Sequence, residues 1–402
     1  MPKKNNLNSK CYEARSRAIV NRALQLYFEE KQENGERYTH TDIRTKLLSE
    51  GFSKDAVDPL DMSAIVRSAR DHGNISYRMN REEELEIELS KTFTPVTCCV
   101  AGGVRAADVA VLGARSLFEY ITNRENHPPG GDLRIGIHGG HSVTLLFREL
   151  SSLLFTKSEK EVQQLLTHLP KTILLQALIG NLGMTPEGTP YTAFGYFTRN
   201  SNLHKLILNR FQFRGFTAPG LMVNGERESL NKITQCRSVM NSRMDLDVIV
   251  ASCGHFSAGC ISSYDFLREA VNDVENVLGM EADDLWSHYA ESLNQRKVIG
   301  DFAWNPIDGK CRVLDTTGLP FSVNNVASLD ELCRFRQGNS QLLGRESKPG
   351  HLMLLAGPCT GEMCKDRYKV NLIRSILDHK ECPVSQVILG VETAAQLLEH
   401  AR

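Results

Sequence analysis

The apolar and polar positions of this chain follow different patterns in its two parts. From about residue 95 onward, short continuous apolar runs alternate with longer stretches in which apolar residues recur every three or four positions. The runs Val96–Val100, Leu133–His138, Ile173–Ile179, Asp247–Ser252, Leu352–Ala356 and Val387–Leu389 read as strands buried on both faces. The stretches 104–121, 142–154, 201–213, 229–242, 264–278, 363–379 and 392–400 read as amphipathic helices. Such alternation predicts an α/β fold, a Rossmann-like, mostly parallel sheet covered by helices.

The first eighty residues lack these runs. Residues 14–31 place Ile19, Ala23, Leu24, Leu26 and Tyr27 near one helical face. A second helix fits 41–48, with Thr39 or Thr41 as its N-cap and Gly51 beyond its end. A third fits 62–70 and stops at His72-Gly73, after which Asn74–Met79 alternates apolar and polar as a wing or short strand would. Three short helices followed by a β element form a helix-turn-helix order. Its recognition helix would offer Arg67 and Arg70 to duplex DNA, with Lys54 as a further cation. Pro59 breaks any continuous helix through 52–61, and Asp55, Asp58 and Asp61 would repel phosphates if they faced DNA.

Charge sharpens this division. Residues 1–81 carry 15 Lys and Arg against 11 Asp and Glu, whereas the whole chain is balanced at 47 against 48. A uniformly basic nucleic-acid binder is excluded, and a small basic module is left open. The acidic stretch that follows, with Leu85, Ile87 and Leu89 interleaved, reads as a connector helix. The expected organisation is a DNA-binding module over 1–81, a connector over 82–94 and a large domain over 95–402. The composition, 41% hydrophobic and 24% charged, is that of an ordinary globular chain. No apolar run nears the roughly 18 residues of a membrane helix, and the N-terminus shows no apolar signal core, so a cytoplasmic protein with no membrane partner is expected. Eleven scattered cysteines then read as reduced thiols.

In a parallel sheet, ligands bind beyond the carboxyl ends of the strands. The first such end reads Ile137-His138-Gly139-Gly140-His141-Ser142-Val143-Thr144 and runs into a helix. Glycines admit a close approach of backbone to ligand, and a helix start attracts an anion, with Ser142 and Thr144 as hydroxyl donors. A tight turn needs glycine for steric reasons alone, so the loop is also compatible with a structural role. His138 and His141 lack a ligand cluster around them and read as loop histidines, and Cys359 and Cys364 lack a second pair, so no metal and no cofactor are expected. Further glycine-bearing ends are Gly180, Gly254 and Gly357, the last followed by Lys369 at a helix start.

The order of these motifs resembles the SorC family of bacterial transcriptional regulators, whose effector domain is similar to the sugar-phosphate isomerase and deaminase fold (the NagB/RpiA/CoA-transferase-like class). The resemblance is carried by Leu85–Val96, Arg134–Thr144, Asp247–Gly254, Val298–Phe302 with Asp308-Gly309, and Leu355–Gly357 with Lys369 and Val387–Leu398. It implies a non-enzymatic regulator that binds operator DNA and a phosphorylated sugar as a homo-oligomer, dimer or tetramer. It also implies that Gly140, His141 and Ser142 face the phosphate, while Gly139, Thr144, Gly180 and Gly254 of the strand-end loops complete the expected ligand-binding set. Asp301 would then meet a sugar hydroxyl, and Lys369 the phosphate or an adjacent oxygen. Ser252-Cys253-Gly254 stands where the family has Gly-Ile-Gly, and Trp304-Asn305-Pro306 where it has Gly-Arg-Phe-Phe. Two other classes stay open: an isomerase or deaminase of the same fold, and a regulator-derived module that binds a partner protein.

Overall fold

The structure is a computed structural model that describes residues 23–24, 26–27, 32, 38–50, 54–57, 65, 81–102, 105–127, 131–155, 159–180, 189–198, 205–215, 221–223, 243–256, 281–314, 319–323, 325–345, 348–359 and 367–401. They fall into two compact units, Met1–Arg78 and Met79–Arg402.

In the first unit, α1 (His40–Ser49) opens with a capping box. The Asp42 amide donates to the Thr39 hydroxyl (3.3 Å), and the Thr39 amide donates to the Asp42 carboxylate (2.8 Å). The Thr39 hydroxyl, and then its amide, hold the Asp42 carboxyl below its ordinary value. A four-residue helix, α2 (Lys54–Val57), follows within the stretch that contains no predicted element. Ile43 and Leu47 of α1 join Val57 and Ala23, Leu24 and Leu26 in a small core of their own. Lys54 is exposed. Arg67, Arg70 and the expected wing at 74–79 lie outside the described residues.

The second unit starts with α3 (Glu83–Thr92), β1 (Thr97–Ala101), α4 (Ala106–Thr122), β2 (Asp132–Ile137) and α5 (His141–Phe155). Next come α6 (Glu159–His168), β3 (Thr172–Ala177), α7 (Pro190–Thr198), α8 (Lys205–Leu208), β4 (Phe211–Arg214), β5 (Leu221–Val223) and β6 (Val248–His255). Then follow α9 (Ala282–Gln295), β7 (Val298–Phe302), β8 (Asn305–Asp308), β9 (Phe321–Val323), α10 (Leu329–Gln337) and β10 (His351–Ala356). The chain closes with α11 (Val370–Leu377), β11 (Gln386–Gly390) and α12 (Val391–Ala401).

Seven strands form a parallel array in the order β1-β11-β10-β6-β2-β3-β4. Strands β6, β10 and β11 are buried almost end to end, as expected of parallel strands sandwiched between helices. Helices α4 and α5 pack side by side, with Val109, Leu112 and Leu117 of the one and Leu146, Phe147 and Leu150 of the other buried, and α7 packs on α5. Helix α12 packs against both α3 and α11. Past residue 252, β6 outruns its parallel neighbours and pairs antiparallel with β7, which forms a hairpin with β8. A satellite core, with Ile179, Phe256, Leu285, Tyr289, Trp304 and Phe321 among its members, fills the space under α9 and this hairpin.

Two expected helices are corrected. The described part of the stretch 201–213 holds the short α8 and then strand β4, because Phe211–Arg214 pairs in register with Ile173–Gln176 of β3. Within 363–379, residues 367–369 are not helical and the helix begins at Val370, since Lys369 takes a left-handed conformation (φ 56°) that no α-helix continues through.

The amino ends of β2, β6 and β10 are tied by Asp247. Its buried carboxylate accepts from the Arg134 amide (3.0 Å), the Arg345 guanidinium (2.8 Å) and the Lys348 ammonium (3.4 Å). Its own amide donates to the Arg134 carbonyl, and its carbonyl accepts from the His351 amide. Burial pushes the thiols of Cys98, Cys311 and Cys333 up to about 12, so they are protonated packing groups rather than nucleophiles.

Candidate ligand-binding site

Strand order indicates where a candidate site would lie. From β2 the chain moves outward to β3 and β4, and from β6 it moves outward the other way to β10 and β11. The order therefore reverses between β2 and β6, and a crevice is expected outside their carboxyl ends.

On the β2 side, Ile137 leads through His138, Gly139 and Gly140 into α5. Gly140 has φ +128°, and a β-carbon there would sit 2.4 Å from the Ser252 hydroxyl oxygen, so backbone conformation and space both demand glycine. The first intrahelical bond of α5 runs from the Thr144 amide to the Gly140 carbonyl (3.0 Å). The amides of residues 141–143 lie ahead of it, at the positive end of the helix dipole. His141 and Ser142 are half-buried, whereas Thr144 faces the buried side of α5.

Neighbouring strands converge on this helix start. The Ser252 hydroxyl of β6 donates to the Gly139 carbonyl (3.3 Å). A β-carbon at Gly357, just past β10, would lie 3.0 Å from the Ser142 hydroxyl oxygen and 3.3 Å from Ala106 at the start of α4. Thus the openings of α4 and α5 and the exits of β2, β6 and β10 share one rim. Lys369 is buried, and its ammonium donates to the Cys253 carbonyl (2.9 Å), which places a cation against the end of β6.

The β6 extension brings in the other predicted residues. Gly254 stands opposite Asp301 in the β6–β7 pairing, and Asp301 Oδ1 accepts from the Trp304 amide (3.1 Å). The two residues joining β7 to β8, Ala303 and Trp304, both have positive φ (50° and 63°), a combination that such two-residue hairpins usually give to Asn-Gly. Their conformation is held from three sides. The Asn305 amide donates to the carbonyls of Phe302, Ala303 and Ala327, that of Asn325 donates to Ala303, and the Ala303 amide donates to Ser252. Gly180 is buried at the end of β3, directly after Ile179, which bridges to Asn325. Asp301 and Lys369 therefore both hold the backbone of the rim. Ser252, Asn305 and Asn325 hold it together as well, and an asparagine beside a Trp with another twenty residues on carries no sequence signal for that task.

His138 is fully buried, and neither ring nitrogen has a hydrogen-bond partner among the described residues. Its amide donates to the Val250 carbonyl (3.0 Å), so the residue sits at the reversal point itself. Among the described residues no three His, Cys, Asp or Glu side chains group to hold a metal ion. Burial pushes the His138 imidazole down to about 3, from about 6.5 in an unfolded chain. The folded state keeps the ring neutral while the unfolded chain takes up a proton. This contribution to stability is complete above pH 6.5 and is lost progressively as pH falls toward 3. The loss between pH 8 and pH 5 should be about 2 kcal/mol. Urea melts at both pH values should show a drop smaller by that amount in His138→Phe, and an equal drop in the two proteins would mean that the folded ring is protonated. His351, lowered in the same direction by burial, acts equally in both.

No family model matches the sequence, and no curated protein matches it. Solved structures do. The crystal structure described as "Putative Sugar-Binding Domain of Transcriptional Repressor" from Vibrio fischeri aligns at a TM-score of 0.50 and 10% identity, covering 80% of this chain and 99% of that one. The full-length sorbitol operon regulator SorC from Klebsiella pneumoniae aligns at 0.49 and 17%, covering 95% and 98%. A transcriptional regulator from Streptococcus pneumoniae aligns at 0.47 and 14%, covering 79% and 97%. The likeness to the Vibrio fischeri domain is one of fold: a mostly parallel sheet with flanking helices.

Proposed function

We propose that the chain is a ligand-responsive transcriptional regulator of the SorC type rather than an enzyme. Its large unit binds a phosphorylated sugar at the crevice between β2 and β6, and its N-terminal module binds operator DNA. The observation that carries this reading is the convergence of the α5 start, the Ser142 hydroxyl, the Gly357 turn and the Lys369 ammonium on one rim at the strand-order reversal. A helix start offers amides and a favourable dipole to a phosphoryl group, and Gly140 lets that group approach the backbone. Sugar hydroxyls would fall toward Asp301 and the β6–β7 extension. The fold likeness to regulator domains favours binding over turnover, and no helix among the described residues is long and apolar enough to cross a membrane. The working form is a cytoplasmic homo-oligomer in which ligand shifts the balance between arrangements that differ in DNA affinity.

Thermal unfolding of the full chain with glucose 6-phosphate, fructose 6-phosphate, ribose 5-phosphate and the parent sugars tests this reading. A phosphorylated sugar at 100 times its dissociation constant should stabilise the fold by about 2.7 kcal/mol, and its parent sugar should not. The same compound should change a salt-dependent affinity for duplex DNA. A flat response across the panel, or catalytic turnover of any member, overturns the proposal.

A further inference from the structure

A neutral imidazole always has one N–H donor and one bare acceptor nitrogen. Enclosing both without partners costs free energy that a leucine or phenylalanine at the same place would not incur. His138 is in that position: it is sealed from solvent, and both ring nitrogens lack a hydrogen bond among the described residues. The backbone on either side is pinned to β6, by the His138 amide on the Val250 carbonyl and by the Ser252 hydroxyl on the Gly139 carbonyl. The ring is thus fixed where β2 hands over to α5, two residues before Gly140 and three before the helix start. A hydroxyl group is the matching partner, since it donates and accepts at once.

We propose that His138 is a specificity-determining residue of the crevice, and that its ring hydrogen-bonds a hydroxyl of the bound sugar phosphate while the α5 start holds the phosphoryl group. The inference rests on the anion-binding reading above and adds to it a division of labour. The helix start recognises the phosphoryl group of any ligand, and His138 recognises the carbon skeleton that carries it. Because the ring is closed to solvent in this state, contact requires the chain around it to open, and the 3.3 Å bond from Ser252 to the Gly139 carbonyl is one tie that opening would act on.

The test uses the full chain, inorganic phosphate, and each of the three sugar phosphates named above. His138→Phe should weaken the sugar phosphate that binds wild type by about tenfold, the loss of one hydrogen bond, and leave inorganic phosphate within twofold. His138→Gln, which restores a donor and an acceptor, should recover most of the lost affinity. In the wild-type protein, the ring ¹⁵N resonances of His138 should move on adding that sugar phosphate and stay put with inorganic phosphate. This second readout holds even if a variant fails to fold. Equal weakening of both ligands would make His138 a mere support of the loop and overturn the proposal. No weakening of either, with unmoved resonances, would leave an enclosed water as the partner and overturn it as well. If wild type binds neither phosphate nor any sugar phosphate, the anion reading itself falls and takes this one with it.

Discussion

Gly140→Ala should abolish measurable binding of the phosphorylated ligand, at least a hundredfold loss by calorimetry, and lower stability by about 2–4 kcal/mol in urea melts. Two effects combine. At φ +128° an L-residue is strained wherever its side chain goes, and the added β-carbon meets the Ser252 hydroxyl oxygen at 2.4 Å. Ser252 is also the hydroxyl that ties Gly139 to β6, so relief of the collision by rotating it breaks that tie. Adding Ser252→Ala to the variant removes the collision and leaves the backbone strain. The double variant should therefore regain no more than about 1 kcal/mol and no ligand affinity. Full recovery would show that the collision alone mattered and that residue 140 tolerates a side chain.

Asp247→Ala should cost about 3–5 kcal/mol, because it strips a buried carboxylate from Arg345 and Lys348 and leaves the Arg134 amide without its acceptor. Asp247→Asn keeps an acceptor oxygen and loses the charge, so its cost should be smaller. Ligand affinity in whatever fraction folds should be unchanged in both, since the residue lies at the opposite end of β6 from the crevice. A loss of under 1 kcal/mol in the alanine variant would show that water replaces the carboxylate at little cost.

Much of this architecture is legible in the sequence, and the physical reason is burial. Strands β6, β10 and β11 are covered on both faces, so they appear as unbroken apolar runs that need no partner to be read. Elements whose identity depends on partners are not so readable. Phe211-Gln212-Phe213-Arg214 has a strand's alternation, yet it follows Leu206-Ile207-Leu208, whose spacing also suits a helix, and pairing with β3 decides the outcome. Helices α6, α7, α9 and α10 fall in stretches where no element was expected. The β7–β8 hairpin is hidden because Ala303-Trp304 lacks turn chemistry, and its conformation is imposed by Asn305 and Asn325 from outside. At the site, glycines at 139–140 and the helix start are visible as a local pattern. That Ser252 seats on them, and that His138 is enclosed rather than an exposed loop residue, follows only from the juxtaposition of β2 and β6.

The Asp247 knot and the strand-end crevice sit at opposite poles of the same parallel array, about 17 Å apart along β6. Such a layout decouples durability from chemical taste. Half-buried residues at the crevice pole can be exchanged while the knot keeps the scaffold closed, so libraries that randomise 141 and 142 should yield a large share of folded proteins. Under the proposed function, a chain of this design could change what it senses far faster than it changes its shape.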